Sequence, residues 1–291
     1  MLNYITQTLR AIFYGTALFS FAISINIVQI CSMLLIPYSR RLVWDINSRG
    51  AAQSMWWVMQ YIFEKKHKGN ITFSGDKVPP DESAVVISNH RSFTDFYMLH
   101  SVAIRRNMLP HLMGMIFIKR NWTQDEGQLR KIFKTIKRYA APIWVVNFVE
   151  GTRLTQKKLQ ESQAFARERG LPILQNLLLP RTKGFVACIR QLRNTHVKYV
   201  YDFTIAYRHI KKGLQCPPNL LQIHSLPIIT PPWYFHVHVR KYSIEDLPSD
   251  EEKLAEWVKQ VFVEKDTILE DMKIKWTKCE KLGEIRTEKY F

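Results

Sequence analysis

The sequence AVVISNHRSFTD at residues 84–95 decides how this chain folds. Its first five residues predict a short strand buried on both faces, and the polar residues that follow predict a turn into a helix. Similar strand-like runs stand at 116–118 and 143–148, and apolar residues at helical spacing fill 127–140 and 156–169. Strands that alternate with helices predict an α/β fold with a mostly parallel sheet flanked by helices.

The remaining sequence extends this pattern in both directions. Further strands are predicted at 199–207 and 233–239, and a charged amphipathic helix at 248–276. A chain of 291 residues can bury one substantial core. We therefore predict a catalytic domain at 70–291, which ends in that helix, and an N-terminal membrane anchor at 1–69.

Charge and cysteine usage limit the possible partners. The formal net charge of +17 favours anionic partners: phosphate-bearing substrates, acidic lipid head groups or nucleic acid. The four cysteines form no CxxC or Cys/His cluster, so neither a zinc site nor a disulfide framework is predicted. No cofactor or metal is expected. Nucleic-acid binding is the weaker expectation, because no zinc-finger spacing or aromatic-basic RNA motif is present.

The membrane anchor is predicted from an uncharged stretch between Arg10 and Arg40. Its apolar part, Ala11 to Ile36, would form a helix of roughly 35 Å, which is long enough to cross a hydrocarbon core. Arginines are more frequent after this stretch than before it, which places the rest of the chain on the cytosolic side. Residues 55–63 contain adjacent tryptophans and precede a basic run, a pattern typical both of an interfacial helix and of a core helix.

A candidate catalytic pair follows the first strand. His90 and Asp95 stand five positions apart where the strand leads into a helix, so the carboxylate can accept from one imidazole nitrogen. The other nitrogen is then free to act as a base toward an alcohol. A surface histidine near a helix-capping aspartate is the alternative that this spacing leaves open.

Three other blocks place basic or small residues at the ends of apolar runs. Residues 148–153 read FVEGTR, residues 114–120 read GMIFIKR, and residues 179–185 read LPRTKGF. A glycine lets the backbone approach a ligand, and Arg153 has a planar fork suited to phosphate. A strand-to-loop turn with a local ion pair between Glu150 and Arg153 is the structural alternative.

In this order and spacing, the four blocks resemble those of the glycerolphosphate acyltransferase family, which includes the lysophosphatidate acyltransferases. The family's NHxxxxD, GxxFIxR, FPEGTR and proline-centred boxes stand here at Asn89–Asp95, Gly114–Arg120, Phe148–Arg153 and Pro180–Gly184. Further similarity at 162–166 and 237–240 indicates the eukaryotic branch that includes lysocardiolipin and lysophosphatidylinositol acyltransferases.

The resemblance implies a role for each matching residue. His90 would be the general base and Asp95 its orienting partner, and the acceptor hydroxyl would attack the thioester of acyl-CoA directly. The predicted substrate-binding residues are Asn89, Arg120, Glu150, Gly151, Thr152, Arg153, Pro180 and Lys183. Arg120 and Arg153 would hold the phosphate of a lysophosphatidate-like acceptor, and Pro180 and its neighbours would lie along the acyl-CoA side.

The sequence departs from the family pattern at two places; the first is tolerable because the Glu-Gly-Thr-Arg core is intact, and the second bears on activity. Val149 replaces the usual proline of the third box, and the connection between Asp95 and Phe117 is shorter than in relatives. A lysophosphatidylinositol or lysocardiolipin acceptor, or a catalytically impaired membrane scaffold, is therefore the alternative. The expected partners are the membrane, a lysophospholipid and acyl-CoA, with no obligatory protein partner. The expected location is the endoplasmic reticulum membrane with the site facing the cytosol, or else the mitochondrial outer membrane.

Overall fold

The computed structural model describes residues 2–109, 127, 130, 133, 134, 136–138, 140 and 142–277. Within these residues the chain begins with helical segments that precede the sheet. They are α1 (Leu2–Ser32), a 3₁₀ turn (Met33–Leu35), α2 (Arg40–Asp45), a π-helical stretch (Ile46–Ala52), α3 (Gln53–Tyr61) and a second π-helical stretch (Ile62–Lys66).

Helix α1 is long and apolar enough to cross a membrane, and little of its surface is buried in the protein. It touches the rest of the molecule at widely spaced points along its length. The Tyr14 ring contacts the ring of His67, Leu18 packs against the core, and the Ser32 hydroxyl accepts from the Asn47 amide at 2.8 Å. The predicted boundary between anchor and catalytic domain at 69/70 stays a prediction.

A six-stranded sheet forms the centre of the molecule. Its strands are β1 (Ile71–Gly75), β2 (Ala84–Ser88), β3 (Trp144–Asn147), β4 (Tyr199–His209), β5 (Gly213–Leu214) and β6 (Trp233–Ser243). The strand order is β1-β6-β4-β2-β3, and β5 pairs with the end of β4. Strands β2, β3 and β4 run parallel, so their carboxyl ends meet at one edge, where an α/β sheet gathers its site.

Helices cover both faces of this sheet. They are α4 (Asp95–Arg105), α5 (Gln156–Glu168), α6 (Thr182–Leu192), α7 (Leu220–Ser225) and α8 (Glu251–Thr277). Alternate residues of β2 and β4 point to opposite faces, as strand geometry requires. Tyr201 and Tyr207 pack with α4 and α7, whereas Val200 and Ala206 pack with α6 and α8. Burial on both faces explains the continuous apolar run of β2.

The structure confirms the predicted α/β class with its flanking helices and its apolar N-terminal helix. The sheet is mixed rather than wholly parallel, because β6 returns antiparallel to β4 after the short β5–α7 excursion. The predicted strand at 116–118 lies outside the described residues. The described positions from 127 to 138 are helical, as predicted.

The segment 55–63 packs into the core, as its interpretation as a core helix requires. Met59 and Phe63 are buried, and the Trp56 ring lies 4.2 Å from that of His100. Trp57 is exposed and stacks on Tyr61. The interfacial interpretation stays a prediction.

Candidate active site

The two predicted catalytic residues meet at the carboxyl end of β2. The chain leaves the strand at Ser88, turns, and enters α4 at Asp95. The Nδ1 atom of His90 lies 2.7 Å from Oδ2 of Asp95. The His90 side chain is 16% exposed and that of Asp95 1% exposed, so the carboxylate lies behind the ring and the ring faces outward. The two side chains therefore have the geometry of a base with its orienting carboxylate.

Asp95 is fixed by more than the imidazole. Its Oδ2 also accepts from the backbone N–H groups of Arg91 at 2.6 Å and Ser92 at 2.9 Å. Its Oδ1 accepts from the hydroxyl of Tyr207 at 2.5 Å. Burial and the neighbouring Asp95 raise the pKa of Tyr207 well above its ordinary value, so the phenol remains a donor. These bonds hold the Asp95 carboxylate in one orientation.

The His90 ring is held between aromatic groups. It stacks on Phe148 with 4.1 Å between ring centroids, and the edge of Phe96 approaches it from another side. With Nδ1 bonded to Asp95, Nε2 is the nitrogen left for a substrate. In the part of the chain that the structure describes, Nε2 has no hydrogen-bond partner.

The EGTR turn after β3 is fastened directly to His90. The Glu150 carboxylate accepts from the backbone N–H of His90 at 2.8 Å and from that of Leu178 at 3.1 Å. The Leu154 N–H donates to the His90 carbonyl at 2.8 Å. Both main-chain polar groups of His90 are therefore bonded to this turn. Burial raises the pKa of Glu150 to about 7, and the two N–H donors oppose that rise.

The exposed side of the same turn is basic. Gly151 has a φ of +70°, and a Cβ there would lie 2.9 Å from the Arg181 side chain, which is why glycine occupies this position. The Thr152 hydroxyl accepts from Lys158 Nζ at 2.5 Å. Arg153 is exposed, and its guanidinium forms no hydrogen bond or ion pair with any described residue. The ion pair of Arg153 with Glu150, the structural alternative, is not present.

The other predicted substrate-binding residues are placed differently. Asn89 is buried, and its amide exchanges two hydrogen bonds with the backbone of Ile205. Pro180 is half-buried beside Arg181, whose N–H donates to the Val149 carbonyl at 2.7 Å. Lys183 lines a cleft of about 430 Å³ between α6 and α8, and none of residues 89–95 or 148–154 lines it. Arg120, the rest of 114–120 and the end of the short connection lie outside the described residues.

Comparisons with known proteins identify the family of this chain. The Acyltransferase family model matches residues 70–208, and that of the Acyltransferase C-terminus matches 231–275. The probable 1-acyl-sn-glycerol-3-phosphate acyltransferase 5 of Arabidopsis thaliana is 34% identical over 81% of this chain and 64% of its own length. The 1-acyl-sn-glycerol-3-phosphate acyltransferase 2 of Brassica oleracea is 30% identical over 88% of this chain and 69% of its own length. The chain belongs to the 1-acylglycerol-3-phosphate acyltransferase family.

Other members of this family support the same assignment. The human 1-acyl-sn-glycerol-3-phosphate acyltransferase gamma is 29% identical over 91% of this chain and 74% of its own length. A crystal structure of a 1-acyl-sn-glycerophosphate acyltransferase from Thermotoga maritima shares the fold, with a TM-score of 0.50 and 14% identity over 93% of this chain and 98% of that one. The chain spans about two thirds of the length of its plant relatives. The predicted family is thus confirmed.

Three residues of this candidate site were not predicted from the sequence. Tyr207 stands 112 positions after Asp95, and Lys158 stands beyond the EGTR block, so neither belongs to a local motif. Arg91, inside the first block, donates to the carbonyls of Asn176 at 2.9 Å and Gln215 at 3.3 Å. A half-buried arginine whose described hydrogen bonds go to backbone carbonyls has no sequence signature. It ties the His90 turn to two other loops.

Proposed function

We propose that this chain is an acyl-CoA-dependent O-acyltransferase that acylates the free hydroxyl of a lysophosphatidate-like acceptor. The observation that carries the proposal is the His90–Asp95 contact of 2.7 Å, with Nε2 of the same ring left without a described partner. The reaction is an acyl transfer from a thioester to an alcohol, and it needs a base and then an acid.

His90 would serve as both base and acid. Its Nε2 takes the proton of the acceptor hydroxyl, and the oxygen attacks the thioester carbonyl carbon. The carbon–sulfur bond of the resulting tetrahedral adduct then breaks, and the imidazolium proton goes to the departing CoA sulfur. The anionic Asp95 stabilises the imidazolium and keeps Nε2 directed at the acceptor.

Arg153 would bind the phosphate of the acceptor. Its guanidinium is exposed on the EGTR turn, free of described partners, and that turn is bonded to His90 on both sides. A planar guanidinium can bind a phosphate through two parallel N–H groups. Lys158 and Arg181 add positive charge to the same side of the turn. Glu150 and Asn89, which bond to backbone groups, would position the turn rather than touch the acceptor.

The test is lipid mass analysis after incubation with labelled acyl-CoA and a panel of lysolipids. We expect lysophosphatidate to be acylated faster than lysophosphatidylinositol, lysocardiolipin or lysolipids without phosphate. His90→Ala should lower CoA release by about 10²–10⁴-fold. Equal background release by wild type and His90→Ala would instead indicate a scaffold without turnover. Equal rates for lysolipids without phosphate would contradict the role of Arg153.

We further propose that the chain resides in the endoplasmic reticulum membrane with the site toward the cytosol. The apolar α1 supports the membrane location, and the excess of arginines after it supports the cytosolic side. Fractionation with protease protection tests it. Recovery with the mitochondrial outer membrane, or protection of residues 70–277 in sealed microsomes, would contradict it.

A further inference from the structure

The segment between β4 and β6 exposes an apolar surface. Four large side chains contribute to it, and Leu221 at 65% and Ile210 at 55% are the most exposed; the others are Leu220 and Ile228. The Ile210 N–H donates to the Pro232 carbonyl and the Trp233 N–H to the Ile229 carbonyl, which joins the Ile210 turn to the segment that contains Ile228. Helix α7 adjoins this segment because its Ile223 belongs to the same core cluster as Ile229. We name these four residues, with Lys211 and Lys212, the hairpin–α7 surface.

This surface adjoins the apolar N-terminal helix. The Tyr14 ring lies 6.2 Å from the ring of His224 on α7 and 4.7 Å from that of His67. The Ile229 N–H donates to the His67 carbonyl at 2.7 Å. Tyr14 belongs to the apolar stretch that would lie in the bilayer. Because α1 contacts the protein at Tyr14, Leu18 and Ser32, it runs along the protein, and α7 lies beside the apolar helix that would contact lipid.

The charge of the segment fits a lipid surface with anionic head groups. Residues 208–234 contain Arg208, Lys211 and Lys212 and no aspartate or glutamate. Lys211 and Lys212 are exposed at the turn beside Ile210. Exposed apolar side chains with lysines beside them suit the boundary between acyl chains and head groups. A soluble partner protein would not explain the contact with α1.

The same segment is bonded to the candidate active site. The Thr94 hydroxyl donates to the Pro218 carbonyl at 2.5 Å, and Arg91 donates to the Gln215 carbonyl. Both donors belong to the turn that holds His90 and Asp95. We propose that the hairpin–α7 surface docks onto an anionic bilayer, and that this docking presents lipid-borne acceptor to His90. The second half of this inference rests on the proposed function.

A depth measurement tests docking without any activity. In the full chain, Cys31, Cys216 and Cys279 are first replaced by serine. A nitroxide is then attached to a new cysteine, either Leu221→Cys or, as the control, Ile274→Cys. Ile274 is 53% exposed on α8, which packs on the opposite face of the sheet. In phosphatidylcholine vesicles with phosphatidylserine, the label at 221 should be accessible to oxygen and protected from a water-soluble nickel complex. Equal accessibility of the two labels to nickel would overturn docking.

Delivery of the acceptor to His90 is tested by measuring turnover on vesicle-embedded and on monomeric lysophosphatidate. Leu221→Glu should slow acylation of vesicle-embedded lysophosphatidate about tenfold and leave short-chain monomeric lysophosphatidate within about twofold. Ile274→Glu should change neither rate. Lys211→Glu/Lys212→Glu should weaken the dependence on phosphatidylserine, whereas Lys253→Glu/Lys259→Glu on α8 should not. Equal slowing on both substrates would overturn acceptor delivery. No turnover by wild type would refute the proposed function, while the depth measurement still decides docking.

Discussion

Asp95 and Asp202 are two buried carboxylates on opposite faces of β4. Asp95 bonds to Tyr207 of that strand and to His90, whose side chain is 16% exposed. Asp202 belongs to the strand and pairs with Lys265 at 2.5 Å and with Arg240 at 2.7 Å. Lys265 is fully buried, and its Nζ also donates to the Phe203 carbonyl.

The difference lies in the partner of each carboxylate. An imidazole near the surface can take and release a proton at neutral pH, whereas a buried ammonium and a guanidinium hold theirs. Burial lowers the pKa of Lys265, and Asp202 opposes that change by favouring the charged form. The Asp95 side of the strand is therefore suited to proton transfer. The Asp202 side fastens α8 to the sheet, and the two roles can be separated by mutation.

The largest expected effect is on turnover at the Asp95 side. Asp95→Asn keeps the size of the side chain but removes the charge that stabilises the imidazolium. We expect kcat, measured as CoA release, to fall about 10²–10⁴-fold. Thermal unfolding and far-UV circular dichroism serve as controls for folding. Turnover near that of wild type would show that His90 does not need its carboxylate.

The next effect is on stability at the Asp202 side. Lys265→Met removes one cation and leaves Asp202 with Arg240 alone in a buried site. We expect the free energy of unfolding to fall by about 3 kcal/mol, measured with denaturant in detergent micelles. Turnover per folded molecule should stay within about threefold of wild type. Lys259→Met, on an exposed face of α8, is the control and should change stability by less than about 0.5 kcal/mol. A stable Lys265→Met variant without turnover would contradict the separation of roles.

Tyr207 allows a finer test within one strand. Tyr207→Phe removes the donor to Asp95 and nothing else, and kcat/KM should fall about tenfold. The acidic limb of its pH profile should move to higher pH, because a carboxylate that has lost a donor holds the imidazolium proton more tightly.

Tyr201→Phe is the matched control for that substitution. Tyr201 is buried on the same face of β4, but its hydroxyl donates to Glu82, away from His90. Its pH profile should match that of wild type. If both variants shifted the profile, a general change in strand packing would explain the result better than a bond to Asp95.

The smallest expected effect concerns Glu150. Its folded-state pKa is raised from an ordinary 4.5 to about 7 by burial. The folded chain therefore binds more protons than the unfolded chain between these values. Stability contributed by this group is present below about pH 4.5 and is lost as the pH rises through about 7.

Glu150→Gln removes this titration. The melting temperature of the variant relative to wild type should therefore rise between pH 5 and pH 8, by a few degrees at most. Glu168→Gln, the same exchange at an exposed position of α5, is a control that should not reproduce this slope. A constant difference in melting temperature across this range would show that Glu150 does not titrate there.

The fold was largely predictable because its strands are buried on both faces. Short, β-branched apolar runs such as 84–88 and 143–148 are typical of strands in a covered sheet, and the helices between them have clear periodicity. Strand β1 was not predicted, because its sequence ITFSG contains few large apolar residues. The antiparallel return of β6 depends on long-range pairing with β4, which no local pattern records.

The candidate site was predictable only where its residues are close in sequence. His90 and Asp95 belong to one turn, so their contact follows from local geometry. Tyr207 and the two backbone bonds of Glu150 join positions far apart, and a sequence cannot show which distant donor reaches which carboxylate. Asn89 and Lys183 show that membership of a family motif does not give the position of a side chain. Both belong to a family motif, yet one bonds to the backbone of β4 and the other lines a separate cleft.

The fastening of the His90 backbone has a consequence for enzyme engineering. Since Glu150 and Leu154 hold the amide and carbonyl of residue 90, the main chain there does not rely on the imidazole for its position. His90→Ala would leave a cavity of the shape of the imidazole ring between Phe148 and Asp95. Added imidazole could occupy that gap and recover part of the turnover, so the same locus could accept bases that the genetic code does not supply.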